Sequence, residues 1–171
     1  MGRVMAQFPF DIIGFDLDGT LLDTSVDLTH AVNHALTQAG RPPLGIDEVK
    51  PMIGGGARKM LERGLEASGG CTPDLLAKFH PVLLDYYEAN ISANSIPFPG
   101  VIDLLDRLDA MGVKVAIVTN KFEYLAVKLI DELGLAPRFG ALLGGDTMGP
   151  GNAKPSAVPI NEMIRRVGEP I

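Results

Sequence analysis

Residues 10–20 read Phe10-Asp11-Ile12-Ile13-Gly14-Phe15-Asp16-Leu17-Asp18-Gly19-Thr20. The mostly apolar run from Phe10 to Phe15 predicts a short buried strand, and the residues from Asp16 to Thr20 predict a loop at its carboxyl end. Ligands of open α/β sheets bind beyond the carboxyl ends of the strands. Asp16 and Asp18 are therefore candidate functional residues by position.

Residues 23–96, which follow this loop, show a helical pattern. Apolar residues at three- and four-residue spacing predict a first helix that ends at Gly40. A second helix is predicted over residues 57–67, and a third runs to about residue 89 with Thr72 as N-cap and Pro73 at the first helical position. No segment here alternates like a strand, so we expect a small all-helical unit.

The pattern changes after Pro97-Phe98-Pro99-Gly100. Strands alternating with helices are typical of parallel βαβ units. We therefore expect an α/β core over residues 1–22 and 97–171, with residues 23–96 inserted after the first strand. The predicted elements of the second core segment are a helix over 101–111, a strand over 113–118, a helix over 123–133, a strand over 139–143 and a helix over 156–167.

The composition narrows the function classes. Apolar residues make up 46% and charged residues 21%, which is ordinary for a globular chain. The 21 acidic and 15 basic residues give a net charge of −6, which argues against a general nucleic-acid binder. The single cysteine, Cys71, excludes an internal disulfide framework. We see no signal peptide and no stretch long enough to span a membrane, so we expect a cytoplasmic protein.

Polar residues follow each of the three predicted strands. Asp16 and Asp18 follow the first, Thr119 and Asn120 the second, and Asp146 the third, with Lys154 a little beyond it. This set suits phosphoryl transfer, because one Asp can attack phosphorus and a second can shuttle a proton. A divalent cation would offset the repulsion between carboxylate and phosphate. The alternative for any single Asp-x-Asp-Gly-Thr sequence is an ordinary acidic turn.

Three segments resemble the motifs of one known family. The run from Phe15 to Thr24 resembles motif I of the haloacid dehalogenase superfamily, Val118-Thr119-Asn120-Lys121 resembles its motif II, and Lys154-Pro155 resembles its motif III. Within that superfamily the chain is most similar to the phosphoglycolate phosphatases. The resemblance implies a Rossmann-like core with a helical cap, here called the cap (residues 23–96), and hydrolysis of a small phosphorylated metabolite such as 2-phosphoglycolate.

The resemblance also implies a role for each motif residue. Asp16 would be the nucleophile that forms an aspartyl-phosphate, and Asp18 would be the general acid and base. Thr119 and Asn120 would hold the phosphoryl oxygens, and Lys154 would neutralise the charge on phosphorus. Mg²⁺ would be bound by the Asp16 carboxylate and the Asp18 backbone carbonyl.

The glycine-rich segment of the cap is a candidate substrate loop. Gly55, Gly56 and Arg58 would close over the site, and the arginine fork would pair with a carboxylate of the substrate. The alternative is a flexible turn between two helices with a solvated arginine.

One family feature is missing from this sequence. The superfamily carries a fourth motif, a Gly-Asp strand end that completes the Mg²⁺ site, and this chain stops at Gly168-Glu169-Pro170-Ile171 before it. We therefore expect a core that is incomplete at its carboxyl end, weak Mg²⁺ binding, and self-association through an unpaired edge of the first strand. Two alternatives to a phosphoglycolate phosphatase remain: a hydrolase of nucleotide or sugar phosphates, and a catalytically impaired domain.

Overall fold

The computed structural model describes residues 8–168 and has an α/β fold, which confirms the predicted fold class. In chain order the elements are β1 (Ile12–Phe15), β2 (Leu22–Asp23), α1 (Ser25–Gln38), α2 (Ile46–Val49), α3 (Ala57–Ala67), α4 (Pro73–Ala89), β3 (Ile96–Pro97), α5 (Val101–Ala110), β4 (Lys114–Val118), α6 (Glu123–Glu132), β5 (Ala141–Leu143) and α7 (Val158–Gly168). Two 3₁₀ turns, Lys50–Met52 and Ala136–Arg138, lie between them.

The main sheet has three parallel strands in the order β1-β4-β5. Ile12 lies opposite Lys114 in the first pair, and Ala116 lies opposite Ala141 in the second. All three strands were predicted, and each proves shorter than its predicted range. Because the strands are parallel, their carboxyl ends meet at one edge of the sheet, where Asp16 and Thr119 follow β1 and β4.

Helices cover both faces of this sheet. One face packs into a large apolar cluster that includes Ile117 of β4, Leu105 of α5 and Leu129 of α6. The opposite face forms a smaller cluster with α7, in which Met163 lies over β1. A Cβ atom at Gly14 would stand 2.5 Å from the Met163 sulfur, so the glycine permits this close packing.

The predicted cap residues form α1–α4, here called the cap helices. The predicted helices over residues 57–67 and 73–89 are confirmed as α3 and α4, and Thr72 caps α4 by accepting a hydrogen bond from the Leu75 backbone N–H at 3.3 Å. The large apolar cluster contains residues of both the cap helices and the sheet, so the two share one core. The division into 1–22, 23–96 and 97–171 stays a prediction.

Two short strands at the ends of the cap correct the expectation of an all-helical unit. Leu22 pairs with Pro97 and Asp23 with Ile96, so β2 and β3 form an antiparallel ribbon where the chain enters and leaves the cap helices. Strands of two residues carry no alternating pattern, and their pairing partners are distant in sequence. Local pattern analysis therefore could not detect them.

A buried carboxylate fastens this ribbon. Asp27, on the first turn of α1, is 3% exposed and accepts hydrogen bonds from the Asn94 backbone N–H at 2.8 Å and from Ser95 Oγ at 2.7 Å. The Asn94 side-chain amide donates to the same carboxylate at 2.8 Å. The start of α1 is thereby tied to the segment that leads out of the cap helices.

Two further expectations concern the pairing of β1 and the presence of a membrane-spanning segment. Residues 1–7 and 169–171 of the predicted core lie outside the described residues. Within residues 8–168, β1 is paired on one side only, with β4. No helix in this range is long and apolar enough to cross a membrane.

Candidate active site

Asp16 is presented by a tight turn at the end of β1. Its Oδ1 accepts a hydrogen bond from the Leu17 backbone N–H at 2.8 Å, and the Leu17 carbonyl accepts from the N–H groups of Thr20 and Leu21. Gly19 adopts a φ of 77°, a left-handed conformation that glycine reaches without strain. The turn therefore holds the Asp16 carboxylate at the carboxyl edge of the sheet.

Lys154 reaches this carboxylate from the loop after β5. The Lys154 Nζ lies 3.0 Å from Asp16 Oδ1, and both side chains keep some contact with solvent, at 24% and 36% exposure respectively. The structure thus brings together two of the predicted catalytic residues that are far apart in the sequence. A lysine at this distance can offset negative charge that develops beside Asp16.

Asp18 lies in a more buried environment than Asp16, at 10% side-chain exposure. Its Oδ1 accepts a hydrogen bond from Thr24 Oγ1 at 2.8 Å and also lies 2.9 Å from Lys121 Nζ. Both contacts go to the same oxygen atom. Asp18 is therefore held at once by the segment that enters the cap helices and by the segment that follows β4.

Lys121 also contacts the cap helices. Its Nζ donates a hydrogen bond to the Tyr87 hydroxyl of α4 at 2.8 Å and lies 4.5 Å from the centre of the Tyr87 ring. Burial disfavours the ammonium, but the Asp18 carboxylate and the Tyr87 hydroxyl outweigh burial and raise the pKa of Lys121. Burial raises the pKa of Tyr87, with Lys121 acting in the opposite direction. The pair is thus an ammonium and a neutral phenol at neutral pH.

Thr119 and Asn120 follow β4, as predicted, and their side chains bind different partners. Thr119 is 3% exposed, and its Oγ1 accepts a hydrogen bond from the Lys121 backbone N–H at 3.2 Å. The Asn120 amide donates to the carbonyls of Gly54 at 3.1 Å and Lys154 at 3.3 Å, so both its hydrogens have protein partners. Asn120 therefore connects the loop at residues 54–56, here called the glycine loop, to the loop that carries Lys154.

Glycines allow the backbone of Asn120 to lie between the cap helices and the core. A Cβ atom at Gly56 would stand 3.1 Å from the Asn120 carbonyl oxygen, and one at Gly145 would stand 2.5 Å from it. The Asn120 Oδ1 is buried and, within residues 8–168, has no hydrogen-bond partner. The loop at Gly56 and the turn at Gly145 thus both approach the Asn120 carbonyl oxygen closely.

A small cavity lies between the acidic turn and the cap helices. Its volume is about 30 Å³, which is room for one or two water molecules. Asp16, Asp18, Thr119 and Lys121 line its polar end, and the rest of its wall is mostly apolar. The apolar wall is formed by Leu28, Ile53, Ala57, Met60, Phe122 and Leu125. A phosphate ester is larger than this cavity, so it does not fit between the acidic turn and the cap helices as they lie in this structure.

The predicted substrate residues of the glycine loop line two separate spaces. Gly56 lines both the small cavity and a second crevice beside it, whereas Gly55 and Arg58 line the second crevice alone. That crevice has a volume of about 220 Å³ and is also lined by Lys59 and Lys154. Arg58 is exposed, and its charge acts with burial to lower the pKa of His80 on α4.

The metal-binding potential of the site is limited to few ligands. Among residues 8–168, no group of three or more His, Cys, Asp and Glu side chains is placed to hold a metal ion. The available oxygen donors are the Asp16 carboxylate, whose Oδ1 is engaged by Lys154, and the groups of Asp18. Mg²⁺ commonly binds through one or two carboxylates, several waters and substrate phosphate oxygens, so this donor set fits the ion.

Three residues of the site were not predicted from the sequence: Thr24, Tyr87 and Lys121. Lys121 appeared there only as the last letter of a motif, and Tyr87 lies 34 residues away from it. No spacing rule links a helix of the cap to the end of a strand over that distance. The position of Lys121 in the sequence nevertheless carried a signal. It follows an apolar strand and Thr119-Asn120, and a lysine that is buried there needs a charged partner.

Comparisons with known proteins identify the family of this chain. Residues 13–169 match the model of the family described as haloacid dehalogenase-like hydrolase. A phosphoglycolate phosphatase of Caulobacter vibrioides is 42% identical over 161 residues, which is 91% of this chain and 65% of that protein. A phosphoglycolate phosphatase of Agrobacterium fabrum is 37% identical over 155 residues, which is 90% of this chain and 66% of that protein. The chain thus spans just under two thirds of the length of these relatives.

A solved structure supports the fold over the same range. The crystal structure of a predicted phosphoglycolate phosphatase from Haemophilus somnus is 30% identical in sequence, with a TM-score of 0.84. The similarity covers 96% of this chain and 73% of that one.

Proposed function

The chain belongs to the haloacid dehalogenase-like hydrolase family, and we propose that it hydrolyses a small phosphate monoester, with 2-phosphoglycolate as the leading substrate. The observation that carries this proposal is the pairing of Asp16 with Lys154 at 3.0 Å beside a cavity that the cap helices close. The names of the relatives support the choice of 2-phosphoglycolate.

The reaction we propose has two steps that share the same residues. In the first, a carboxylate oxygen of Asp16 attacks phosphorus, the bond between phosphorus and the ester oxygen breaks, and the leaving alkoxide takes a proton from Asp18. In the second, Asp18 takes a proton from water, the water oxygen attacks phosphorus, and the bond to Asp16 breaks. The sum is one ester and one water converted into one alcohol and one phosphate.

The neighbouring residues stabilise charge during these steps. Lys154 Nζ neutralises negative charge on the phosphoryl oxygens, and the Thr119 hydroxyl at the polar end of the cavity donates to one of them. Asn120 was predicted to hold phosphoryl oxygens, but its amide hydrogens are occupied by the Gly54 and Lys154 carbonyls. We therefore propose that the Asn120 side chain acts by fixing Lys154 and the glycine loop.

Mg²⁺ is the cofactor we propose for this site. The Asp16 carboxylate and the Asp18 backbone carbonyl would hold it. When bound, the ion reduces the repulsion between Asp16 and the substrate phosphate. Because so few carboxylates are available among the described residues, we expect weak binding that the substrate itself strengthens.

Substrate recognition would use the crevice beside the small cavity. Arg58, with Gly55 and Gly56 of the glycine loop, lines this crevice together with Lys154. A guanidinium can pair with the carboxylate of a bound 2-phosphoglycolate through two hydrogen bonds. We propose that opening of the cap helices admits the ester and that their closure brings Arg58 toward it.

The decisive experiment compares the unaltered chain with Asp16→Asn and Asp18→Asn. The substrates are 2-phosphoglycolate and p-nitrophenyl phosphate with Mg²⁺, and the measured quantity is kcat/KM, which reports the steps up to the first bond cleavage. Asp16→Asn should abolish turnover of both esters, because the amide is a very weak nucleophile. Retention of more than trace turnover would reject Asp16 as the nucleophile.

Asp18→Asn separates the proton-transfer role from a general structural effect. It should lower kcat/KM for 2-phosphoglycolate by roughly 10²–10⁴ and that for p-nitrophenyl phosphate much less, because nitrophenolate leaves without a proton. A burst of one nitrophenolate per site, followed by slow turnover, should accompany this variant. Equal losses on the two esters would reject Asp18 as the general acid. A panel of nucleotide and sugar phosphates tests the alternative substrates.

A second candidate is a catalytically impaired domain that binds phosphate. This is the alternative that the sequence leaves open beside a phosphatase. Titration of the chain with inorganic phosphate and Mg²⁺, alongside the activity assay, distinguishes the two. Binding without hydrolysis of any ester would support the impaired domain and contradict the phosphatase. The cytoplasmic location and self-association of the chain stay predictions from the sequence.

A further inference from the structure

Each of the two predicted catalytic carboxylates has its own lysine, and the two lysines differ in environment. Lys154 beside Asp16 is 24% exposed in its side chain, whereas Lys121 beside Asp18 is 5% exposed. Lys154 faces the place where phosphorus would react. Lys121 instead has its Nζ enclosed between Asp18 and Tyr87, at 2.9 and 2.8 Å. The mechanism above gives Lys121 no task.

The contacts of Asp18 show what this lysine can do. Thr24 Oγ1 and Lys121 Nζ both bind Oδ1, so the plane and position of the carboxylate are fixed from two sides. An acid that gives a proton to a leaving oxygen must present its other oxygen at hydrogen-bond distance. Hydrogen bonds with an ionised donor are roughly twice as strong as neutral ones, and a buried ammonium cannot easily be replaced by water. Lys121 therefore restricts which oxygen of Asp18 is free.

Tyr87 connects this arrangement to the cap helices. It lies on α4, is 1% exposed, and binds Lys121 Nζ through its hydroxyl. The closed cavity of about 30 Å³ must open to admit an ester, and Tyr87 and Lys121 both line it. Movement of α4 away from the core would separate the Tyr87 hydroxyl from Lys121 and free the ammonium to turn from Asp18.

We infer that Lys121 is a positioning residue for Asp18, and that Tyr87 makes this positioning depend on the closure of the cap helices. The inference rests on the proposed phosphatase function. Its consequence is that proton transfer to the leaving group is efficient only when α4 is seated on the core.

The test uses Lys121→Met and Tyr87→Phe, with Lys114→Met as the matched control. Methionine has a similar length without the charge, and phenylalanine lacks only the hydroxyl oxygen. Lys114 lies at the opposite end of β4, where its Nζ donates to the Val167 carbonyl at 3.0 Å. For each variant, kcat/KM is measured on 2-phosphoglycolate and on p-nitrophenyl phosphate with Mg²⁺, and thermal unfolding is followed by circular dichroism.

A positioning role predicts a loss that depends on the leaving group. Lys121→Met should lower kcat/KM for 2-phosphoglycolate about 30- to 100-fold, below the full effect of a general acid, and that for p-nitrophenyl phosphate less than tenfold. Tyr87→Phe should show the same selectivity at about three- to tenfold. Lys114→Met should change neither value. A purely structural role would lower both values together with the unfolding temperature.

The outcomes separate this inference from the proposed function. If the unaltered chain hydrolyses both esters and Lys121→Met loses activity equally on both, the inference is overturned and the phosphatase function stands. If Lys121→Met does not fold, Tyr87→Phe decides: a selective loss supports the inference, and an equal loss or none overturns it. If the unaltered chain hydrolyses neither ester, the proposed function and this inference both fail.

Discussion

Replacement of Asp27 by alanine should destabilise the whole chain, because this carboxylate ties the start of α1 to the segment leaving the cap helices. Three donors lose their acceptor: the backbone N–H and the side-chain amide of Asn94, and the hydroxyl of Ser95. Asn94 is exposed, so water can replace the carboxylate there. Ser95 is 2% exposed, and its hydroxyl keeps only a longer bond of 3.4 Å to the Ile91 carbonyl.

These differences give the expected size of the effect. A buried donor left without its partner costs roughly 1–3 kcal/mol, and a hydrogen bond to a charged group makes a net contribution of roughly 1.5–3 kcal/mol. We assign about 2 kcal/mol to Ser95 and about 1 kcal/mol to the two exposed donors of Asn94. The sum of about 3 kcal/mol corresponds to a fall in Tm of roughly 6–12 °C for a chain of this length.

Urea unfolding followed by circular dichroism measures this loss. Asp27→Asn keeps the shape of the side chain but turns one acceptor into a donor, so about half of the loss should remain. Asp109→Ala is the control, because Asp109 is exposed near the end of α5 and should change the free energy of unfolding by less than about 0.5 kcal/mol. The contacts of Asp27 with Asn94 and Ser95 are here called the Asp27 clamp. A loss in the free energy of unfolding below about 1 kcal/mol in Asp27→Ala would show that this clamp does not hold the two segments together.

Arg58→Ala should raise KM for 2-phosphoglycolate several-fold more than for p-nitrophenyl phosphate, because only the former offers a second anion; equal changes in steady-state KM would exclude carboxylate recognition. Burial, together with the charge of Arg58, lowers the pKa of His80 in the folded chain. As the pH falls, the unfolded chain therefore binds a proton at His80 before the folded chain does, and the free energy of unfolding decreases below about pH 6.5. His80→Gln should remove this part of the decline in Tm between pH 7 and pH 5, whereas identical pH profiles would contradict it.

The sequence predicted those parts of the fold whose signal is local. The helices over residues 57–67 and 73–89 follow from apolar spacing, a threonine N-cap and glycine stops, all of which act within a few residues. The site residues Asp16 and Lys154 could be predicted to lie close together because parallel strands align their carboxyl ends, and they lie 3.0 Å apart. Their catalytic roles stay proposals.

What the sequence did not predict depends on contacts between distant residues. The β2–β3 ribbon consists of strands of two residues, which are too short for an alternating pattern. The contact between Lys121 and Tyr87 exists only once α4 is seated on the core. The contacts of the Asn120 amide have the same origin, since it donates to Gly54 from the cap and to Lys154 from the core. None of these partners is visible from spacing along the chain.

Because of the Asp27 clamp, the attachment of the inserted helical segment depends little on the length of that segment. The hydrogen bond from Asn94 to Asp27 closes a loop of 67 residues. The entropy of loop closure grows only with the logarithm of length, so doubling this loop would cost about 0.6 kcal/mol. That is much less than the roughly 3 kcal/mol expected from the clamp itself. The length of the inserted segment can therefore change at little entropic cost while its point of attachment keeps its geometry, provided that the apolar residues it shares with the core are retained.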